Sequence, residues 1–256
     1  MEIQLIRHAT LLVSFAGRRL LVDPMLGAEG TMDPVRNATP ETRIPMRPLP
    51  LDGEELRALL DGIDAVLVTH THQDHWDAAA VDLIAHDRTV FCQPPDRDRI
   101  IGAGFTDVRP VDDGLGWDGI DLVRTSGHHG TGEVERAMGP VSGFILGAPG
   151  EPTLYLAGDT IMCAEVETAI QDHRPAATVV NTGAARFLTG DPITMTATEV
   201  EAVAALDPTM AVVAVHMDTV NHCHLTRTAL REHLGQSPVG SQVVVPEDGD
   251  RTVWLA

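Results

Sequence analysis

The sequence predicts an α/β fold in which one β-sheet packs on another and helices cover the outside. Two observations carry that expectation. Each half of the chain opens on short apolar, β-branched runs and turns to regular helical patterns later. Several of those runs also end directly in histidine or aspartate, as expected where loops at strand ends converge on one face of a sheet scaffold.

Ile3 to Ile6, Leu11 to Phe15 and Arg19 to Val22 read as three short strands, with Ala16-Gly17-Arg18 as the turn between the last two. Asp23-Pro24 stops the third. Met25 to Leu51 is rich in Pro, Gly, Met and Arg without periodicity, and a loop of that length is expected to be a functional lid or a mobile segment. Asp52 caps a helix through Leu60, with Glu54 and Glu55 in its first turn. Ala65 to Val68 is a buried strand. Asp77 caps a helix from Ala78 to Ala85, Thr89 to Cys92 is a strand, and Asp96 to Ile101 is a short helix. Thr106 to Val111 and Ile120 to Thr125 follow as strands, then a loop from Gly127 to Pro140, then strands at Val141 to Leu146 and Thr153 to Ala157.

The C-terminal part repeats the style. A helix from about Ala164 to His173 ends before Pro175. Ala177 to Val180 is a strand leading into a Gly- and Thr-rich loop, Asn181 to Ile193. Thr196 caps a helix to Leu206, with Glu199 completing a capping box. Ala211 to Val215 is a strand, Thr226 to Leu234 a helix, and Gln242 to Val245 and Thr252 to Leu255 close the chain. No internal repeat or linker divides it, so a single domain over 1–256 is expected.

Bulk properties exclude several function classes. A formal charge of −19 lacks the Lys/Arg footprint that a phosphate backbone requires, so nucleic acid is not an expected partner. An anionic membrane surface is disfavoured for the same reason, and no apolar run is long enough to span a bilayer. Cys92, Cys163 and Cys223 form an odd, widely spaced set that does not read as a disulfide framework. With no signal-peptide layout at the N-terminus, a reduced cytoplasm is the simplest setting. A homo-oligomer is left open.

The chemistry is concentrated after the Ala65–Val68 strand, in Thr-His-Thr-His-Gln-Asp-His-Trp. His70, His72, Asp74 and His75 are metal-type side chains within six positions, borderline-to-hard donors that suit zinc, manganese or iron. The same arrangement of apolar strand followed by ligand recurs at His128/His129, at Asp159 and at His216.

This order of motifs resembles the metallo-β-lactamase superfamily. The resemblance runs from His70 to His216, and the H-x-H-x-D-H run is specific. It implies an αββα sandwich with two divalent metal ions, Zn2+ first and Mn2+ or Fe2+ as alternatives. Carried over by motif, His70, His72 and His129 would hold one ion, Asp74, His75 and His216 the other, and Asp159 would bridge them. His128 competes with His129 for the third position. Ile-Arg-His-Ala-Thr with Val-Asp-Pro is similar to the branch that contains L-ascorbate-6-phosphate lactonase. That similarity implies a metal-dependent hydrolase of lactones or other cyclic esters or amides, small molecules in each case. Two bound ions would bring a water toward ionisation near neutral pH, and Asp74 could both ligate and orient or deprotonate it. The alternatives are a phosphodiesterase with the same site and a non-hydrolytic di-iron redox or metal-binding protein.

Further residues carry two readings each. Asp23 ends a strand and could fix the outer nitrogen of a ligand histidine, or simply make an Asp-Pro turn. His8 could face the site or be a core histidine. His222 could contact substrate or move a proton. Arg186 could hold a substrate anion or pair with Asp191 on the surface. Trp76 could wall the pocket or anchor the core.

Overall fold

A computed structural model describes residues 1–254. In chain order it begins with β1 (Glu2–Arg7), β2 (Thr10–Phe15), β3 (Arg18–Val22), α1 (Gly53–Asp61), β4 (Ala65–Val68), α2 (Ala78–Leu83), β5 (Thr89–Cys92) and α3 (Arg97–Gly102). Next come β6 (Val108–Pro110), β7 (Gly114–Trp117), β8 (Ile120–Ser126), α4 (Gly132–Met138), β9 (Ser142–Gly147), β10 (Leu154–Leu156) and α5 (Ala164–His173). The last are β11 (Ala177–Asn181), α6 (Ala197–Leu206), β12 (Ala211–Val215), α7 (Arg227–Leu234), β13 (Val243–Val244) and β14 (Arg251–Val253).

The strands form two seven-stranded sheets, ordered β14-β1-β2-β3-β4-β5-β6 and β13-β12-β11-β10-β9-β8-β7. β3 to β6 run parallel, as do β10 to β13, and the other pairs are antiparallel. Val13, Phe15, Leu67 and Phe91 of the first sheet meet Leu122, Phe144, Leu156 and Val213 of the second in one shared core. On the outer face of the first sheet, Val66 and Val68 pack with Leu59, Leu60, Ala80 and Ile100 of α1 to α3. Over the second sheet, Val166, Val203 and Leu230 of α5 to α7 cover Val180, Val212 and Ala214. The layers are therefore αββα, and β4 is buried on both faces. That is why its sequence is a continuous apolar run rather than an alternating one. Each fully buried Val or Leu there contributes about 1.5–3 kcal/mol.

The pairing directions place one end of each sheet at a common edge. β1, β3 and β4 point their C-termini the same way, as do β8, β10, β11 and β12. The loops that leave those ends carry His8, Asp23, the His70–His75 run, His129, Asp159, Asn181 and His216. Carboxyl ends of strands are where open α/β sheets bind ligands.

Four expectations need correction. The Gly127–Pro140 loop contains α4, a helix with no buried residue, so it showed no apolar periodicity. β7 was missed because two of its four residues are glycine. The Gln242–Val245 strand shrinks to Val243–Val244 behind a 3₁₀ turn at Gly240–Gln242. The last strand is Arg251–Val253, and Leu255 of the expected Thr252–Leu255 lies outside the described residues.

Met25 to Leu51 has little regular structure but is packed down rather than free. Met25 and Ile44 form a small cluster with Val220, and Met32 bridges to Ile44. The buried Arg7 donates to the carbonyls of Met25 and Gly27 at 2.8 Å and of Arg47 at 3.0 Å. Asn221 accepts from Val35 N at 2.8 Å and donates to the Pro40 carbonyl at 2.9 Å.

Candidate metal centre

Strand ends aim the donors, and local backbone strain marks the spot. His8, Asp23 and His216 adopt left-handed φ values of 61°, 44° and 69°. Such conformations cost about 1–3 kcal/mol each and persist only where the surroundings fix them. Gly158, directly before Asp159, has φ 69°, and a Cβ there would sit 2.6 Å from the Ser142 carbonyl. No other residue type would bring Asp159 to its place without displacing β9.

Three overlapping groups of donors form. His70, His72 and His129 make one, His8, Asp74, His75 and His216 a second, and His70, His75 and Asp159 a third that joins them. Within each group the donor atoms lie within 4.8 Å of one another. His70 Nε2 faces His72 Nδ1 at 2.9 Å, and His75 Nε2 faces His216 Nε2 at 3.3 Å. Asp159 Oδ2 lies 3.3 Å from His75 Nε2 and 3.5 Å from His129 Nε2, while its Oδ1 lies 3.4 Å from His216 Nε2. Asp74 Oδ2 is 3.5 Å from His216 Nε2.

The outward nitrogens are fixed by other partners. His72 Nε2 donates to the Met138 carbonyl at 3.0 Å, and His129 Nδ1 to the Ile193 carbonyl at 2.8 Å. His75 Nδ1 donates to Asp23 Oδ2 at 2.9 Å. That oxygen also accepts from Thr69 Oγ1 at 2.7 Å, and Thr69 Oγ1 lies 3.1 Å from His70 Nδ1. Asp23 thus contacts His75 directly and reaches His70 through Thr69. Cys223 Sγ lies 3.6 Å from His216 Nδ1. Asn181 Nδ2 donates to Asp159 Oδ1 at 2.7 Å. Sequence reasoning missed Asn181, although it occupies the same strand-end position as the ligands.

Burial sets the electrostatics. It drives His129 down to about 4 and His70 well below its ordinary range, so both are neutral donors. Burial also opposes charge on His75, but the Asp159, Asp74 and Asp23 carboxylates outweigh it and push this imidazole up to about 10. Burial alone would raise Asp74 and Asp159, yet the neighbouring imidazoles hold both carboxyls well below the usual range. His70 Nε2 and His72 Nδ1 face each other at 2.9 Å while their outer nitrogens are already bonded to Thr69 and Met138, which fits metal coordination and no ordinary hydrogen-bond network. The donor set therefore fits divalent metal.

The other expected residues divide. His8 is buried at the centre, its Nε2 3.3 Å from Asp74 Oδ2 and its ring 3.7 Å from that of His216. His222 lines a cleft of ≈ 170 Å³ above the donors, and its Nδ1 has no partner among the described residues. Val35, Gln73, Met138 and Phe187 line the same cleft, and none was singled out from sequence. His128 turns away from the centre to Glu135 and Glu165, so it is not the competing donor. Arg186 is exposed beside His224, and Phe187 takes the place expected of it at the cleft. Trp76 is buried in the outer core with its ring 5.2 Å from that of Phe105, so it anchors packing and walls nothing.

No helix among the described residues is long and apolar enough to cross a membrane.

Comparison with known proteins agrees with this architecture. Residues 18–217 match the model of the β-lactamase superfamily domain. The chain is 36% identical over 255 residues to the UPF0173 protein YddR of Bacillus subtilis, covering 98% of each. Among solved structures it is similar to an isothiocyanate hydrolase from Delia radicum gut bacteria, with TM-score 0.94, 33% identity and 100% of both chains covered. It is equally similar to a possible metal-dependent hydrolase from Veillonella parvula, with TM-score 0.94, 35% identity and 98% of both chains covered. An αββα sandwich, a histidine- and aspartate-rich edge and these relatives together mean that the chain belongs to the metallo-β-lactamase superfamily, as a metal-dependent hydrolase.

Proposed function

We propose that the protein is a dinuclear hydrolase of small, uncharged carbon electrophiles, with isothiocyanates as the first class and lactones as the second. The observation that carries this reading is the cleft. At ≈ 170 Å³ it is smaller than the roughly 300–1,000 Å³ of sites for drug-sized ligands. Val35, Met138 and Phe187 give it apolar walls, and no Lys or Arg is among its described lining residues. A phosphate or phosphodiester substrate would lack an anchoring cation in a chain of charge −19. The likeness to an isothiocyanate hydrolase supports the same choice. The expected lactone belongs to the same electrophile class, whereas a phosphodiester would find no Lys or Arg at the cleft.

His70, His72 and His129 would hold one ion and Asp74, His75 and His216 the other, with Asp159 between. When bound, the ions would make a water ionisable near neutral pH and polarise the substrate. Asp74 is placed to accept the proton of the attacking water, and His8 at 3.3 Å orients its carboxylate. His222 lines the cleft together with Asp74 and is placed to contact the heteroatom that gains charge. Met138 and Phe187 hold the organic substituent and exclude bulk water. For an isothiocyanate, water oxygen adds to the central carbon, one water proton goes to nitrogen and the other to Asp74. The resulting thiocarbamate takes that second proton on nitrogen as its C–N bond breaks, giving amine and carbonyl sulfide.

The test is a side-by-side assay of an alkyl isothiocyanate, a γ-lactone and a chromogenic phosphodiester with metal-loaded protein. The two carbon electrophiles should be turned over and the phosphodiester should not. Phosphodiesterase activity exceeding both would sink the proposal, as would undiminished hydrolysis after complete chelation.

A further inference from the structure

His128 is left over by the centre, and its surroundings are those of a second ligand set. Its backbone is held on both sides: His128 N donates to Thr160 Oγ1 at 2.9 Å, and the His128 carbonyl accepts from Ile161 N at 2.9 Å. The imidazole then spans two helices. Nδ1 bonds Glu135 of α4, and Nε2 lies 3.2 Å from Glu165 Oε1 in the first turn of α5. Cys163, the residue that caps α5, completes the group, and one donor atom from each of His128, Cys163 and Glu165 lies within 4.8 Å of the others. Thr160 Oγ1 lies 3.6 Å from Cys163 Sγ, so the same hydroxyl organises both the histidine and the thiol.

We propose that His128, Cys163 and Glu165 form a peripheral binding site for a thiophilic divalent cation of the zinc class, with Glu135 holding the outer nitrogen of His128. One nitrogen, one sulfur and one carboxylate oxygen are the donor types such an ion takes, with a water completing four-coordination. Donors around a tetrahedral zinc stand roughly 3.5 Å apart, so the group need close by only about 1 Å. A carboxylate behind a ligand imidazole is the usual support of such sites. Glu165 also lines a surface hollow of ≈ 340 Å³ between β8 and α5, which gives an ion a path in from solvent. The net charge of −19 favours cation association in general, and Glu165 and Asp172 face Arg124 across the hollow. Binding would staple α4 to α5. Because α4 ends at Met138, whose carbonyl holds His72, the staple lies one helix away from the catalytic centre.

The experiment is a Cd2+ titration of centre-loaded protein, read by equilibrium dialysis and by thiolate-to-metal charge-transfer absorption. Wild type should bind one further equivalent with a thiolate band. Cys163→Ser should lose the band, His128→Ala and Glu165→Gln should weaken binding at least about tenfold, and Cys92→Ala, in the outer core, should change neither. Circular dichroism checks that each variant is folded. If Cys163→Ser fails to fold, the half-exposed Glu165→Gln decides on its own, because unchanged affinity there overturns the site. A band that survives Cys163→Ser or disappears in Cys92→Ala overturns it too, as does the absence of any further equivalent in wild type.

Discussion

His128 and His129 are consecutive, and the fold assigns them opposite fates. His129 is buried, its outer nitrogen is fixed to the Ile193 carbonyl, and burial pushes it down to about 4. His128 is half-exposed, and its bonds to Glu135 and Glu165 raise it above its ordinary value. The first is a neutral donor at neutral pH, whereas the second holds its proton more tightly than a free imidazole, so an ion would have to compete with it. Residue type and spacing are identical, so the difference comes from what packs around each ring. Burial behind the sheet edge leaves His129 neutral and aimed inward, whereas the carboxylates at the surface hold His128 between two helices.

The largest effect expected from this contrast lies deepest inside. Asp74→Ala should reduce kcat/KM by about 10²–10⁴ with the circular dichroism spectrum retained, because proton acceptance and one ligand are lost together. Full activity in that variant would break the mechanism. Next, His129→Ala should lose tightly bound metal and most activity, whereas His128→Ala should keep activity within about twofold in metal-buffered solution. Equal losses in the two would erase the distinction between inner and outer histidine. Asp23→Ala should weaken metal binding by about 10–100-fold, since His75 loses its acceptor and His70 loses the Thr69 relay. Competition with a chromophoric chelator measures that shift.

Chelation offers a related check on stability. Without ions His70 Nε2 and His72 Nδ1 would face each other at 2.9 Å with no proton between them, their outer nitrogens being already bonded. The apo protein should melt lower than the loaded one. The stabilisation should grow with free metal by about 2.7 kcal/mol at a hundredfold excess over Kd. A melting temperature indifferent to metal would mean that the inner donors are satisfied without it.

Much of this was legible in the chain, and the reasons for the exceptions are physical. The strand-end ligands could be read because each follows an apolar run that can only be buried strand. The αββα layering followed from the order of strands and helices. Trp76 misled because the ligand run contains a tight turn, in which His75 N and Trp76 N both donate to the His72 carbonyl at 3.0 and 2.8 Å. A turn of that kind rotates successive side chains by about 100°, so His75 faces the centre and Trp76 faces Phe105. α4 was hidden because an exposed helix has no apolar stripe. The cleft wall was unreadable for another reason. Val35, Met138, Phe187 and His222 come from four distant segments, and their meeting is a product of tertiary packing.

The smallest effects belong to that rim, and they sharpen the contrast most finely. Phe187 lines the cleft while Arg186, one position earlier, points to solvent with its backbone N donating to the His222 carbonyl at 3.0 Å. Phe187→Ala should raise KM for an isothiocyanate by about tenfold with kcat little changed, because it removes apolar contact made equally in ground and transition states. Arg186→Ala should leave kcat/KM within a factor of about two and stability within about 0.5 kcal/mol, as surface substitutions do. If Arg186→Ala instead cost more than Phe187→Ala, the substrate would carry a negative charge, and the uncharged-electrophile reading would fail at the rim before it was tested at the metals.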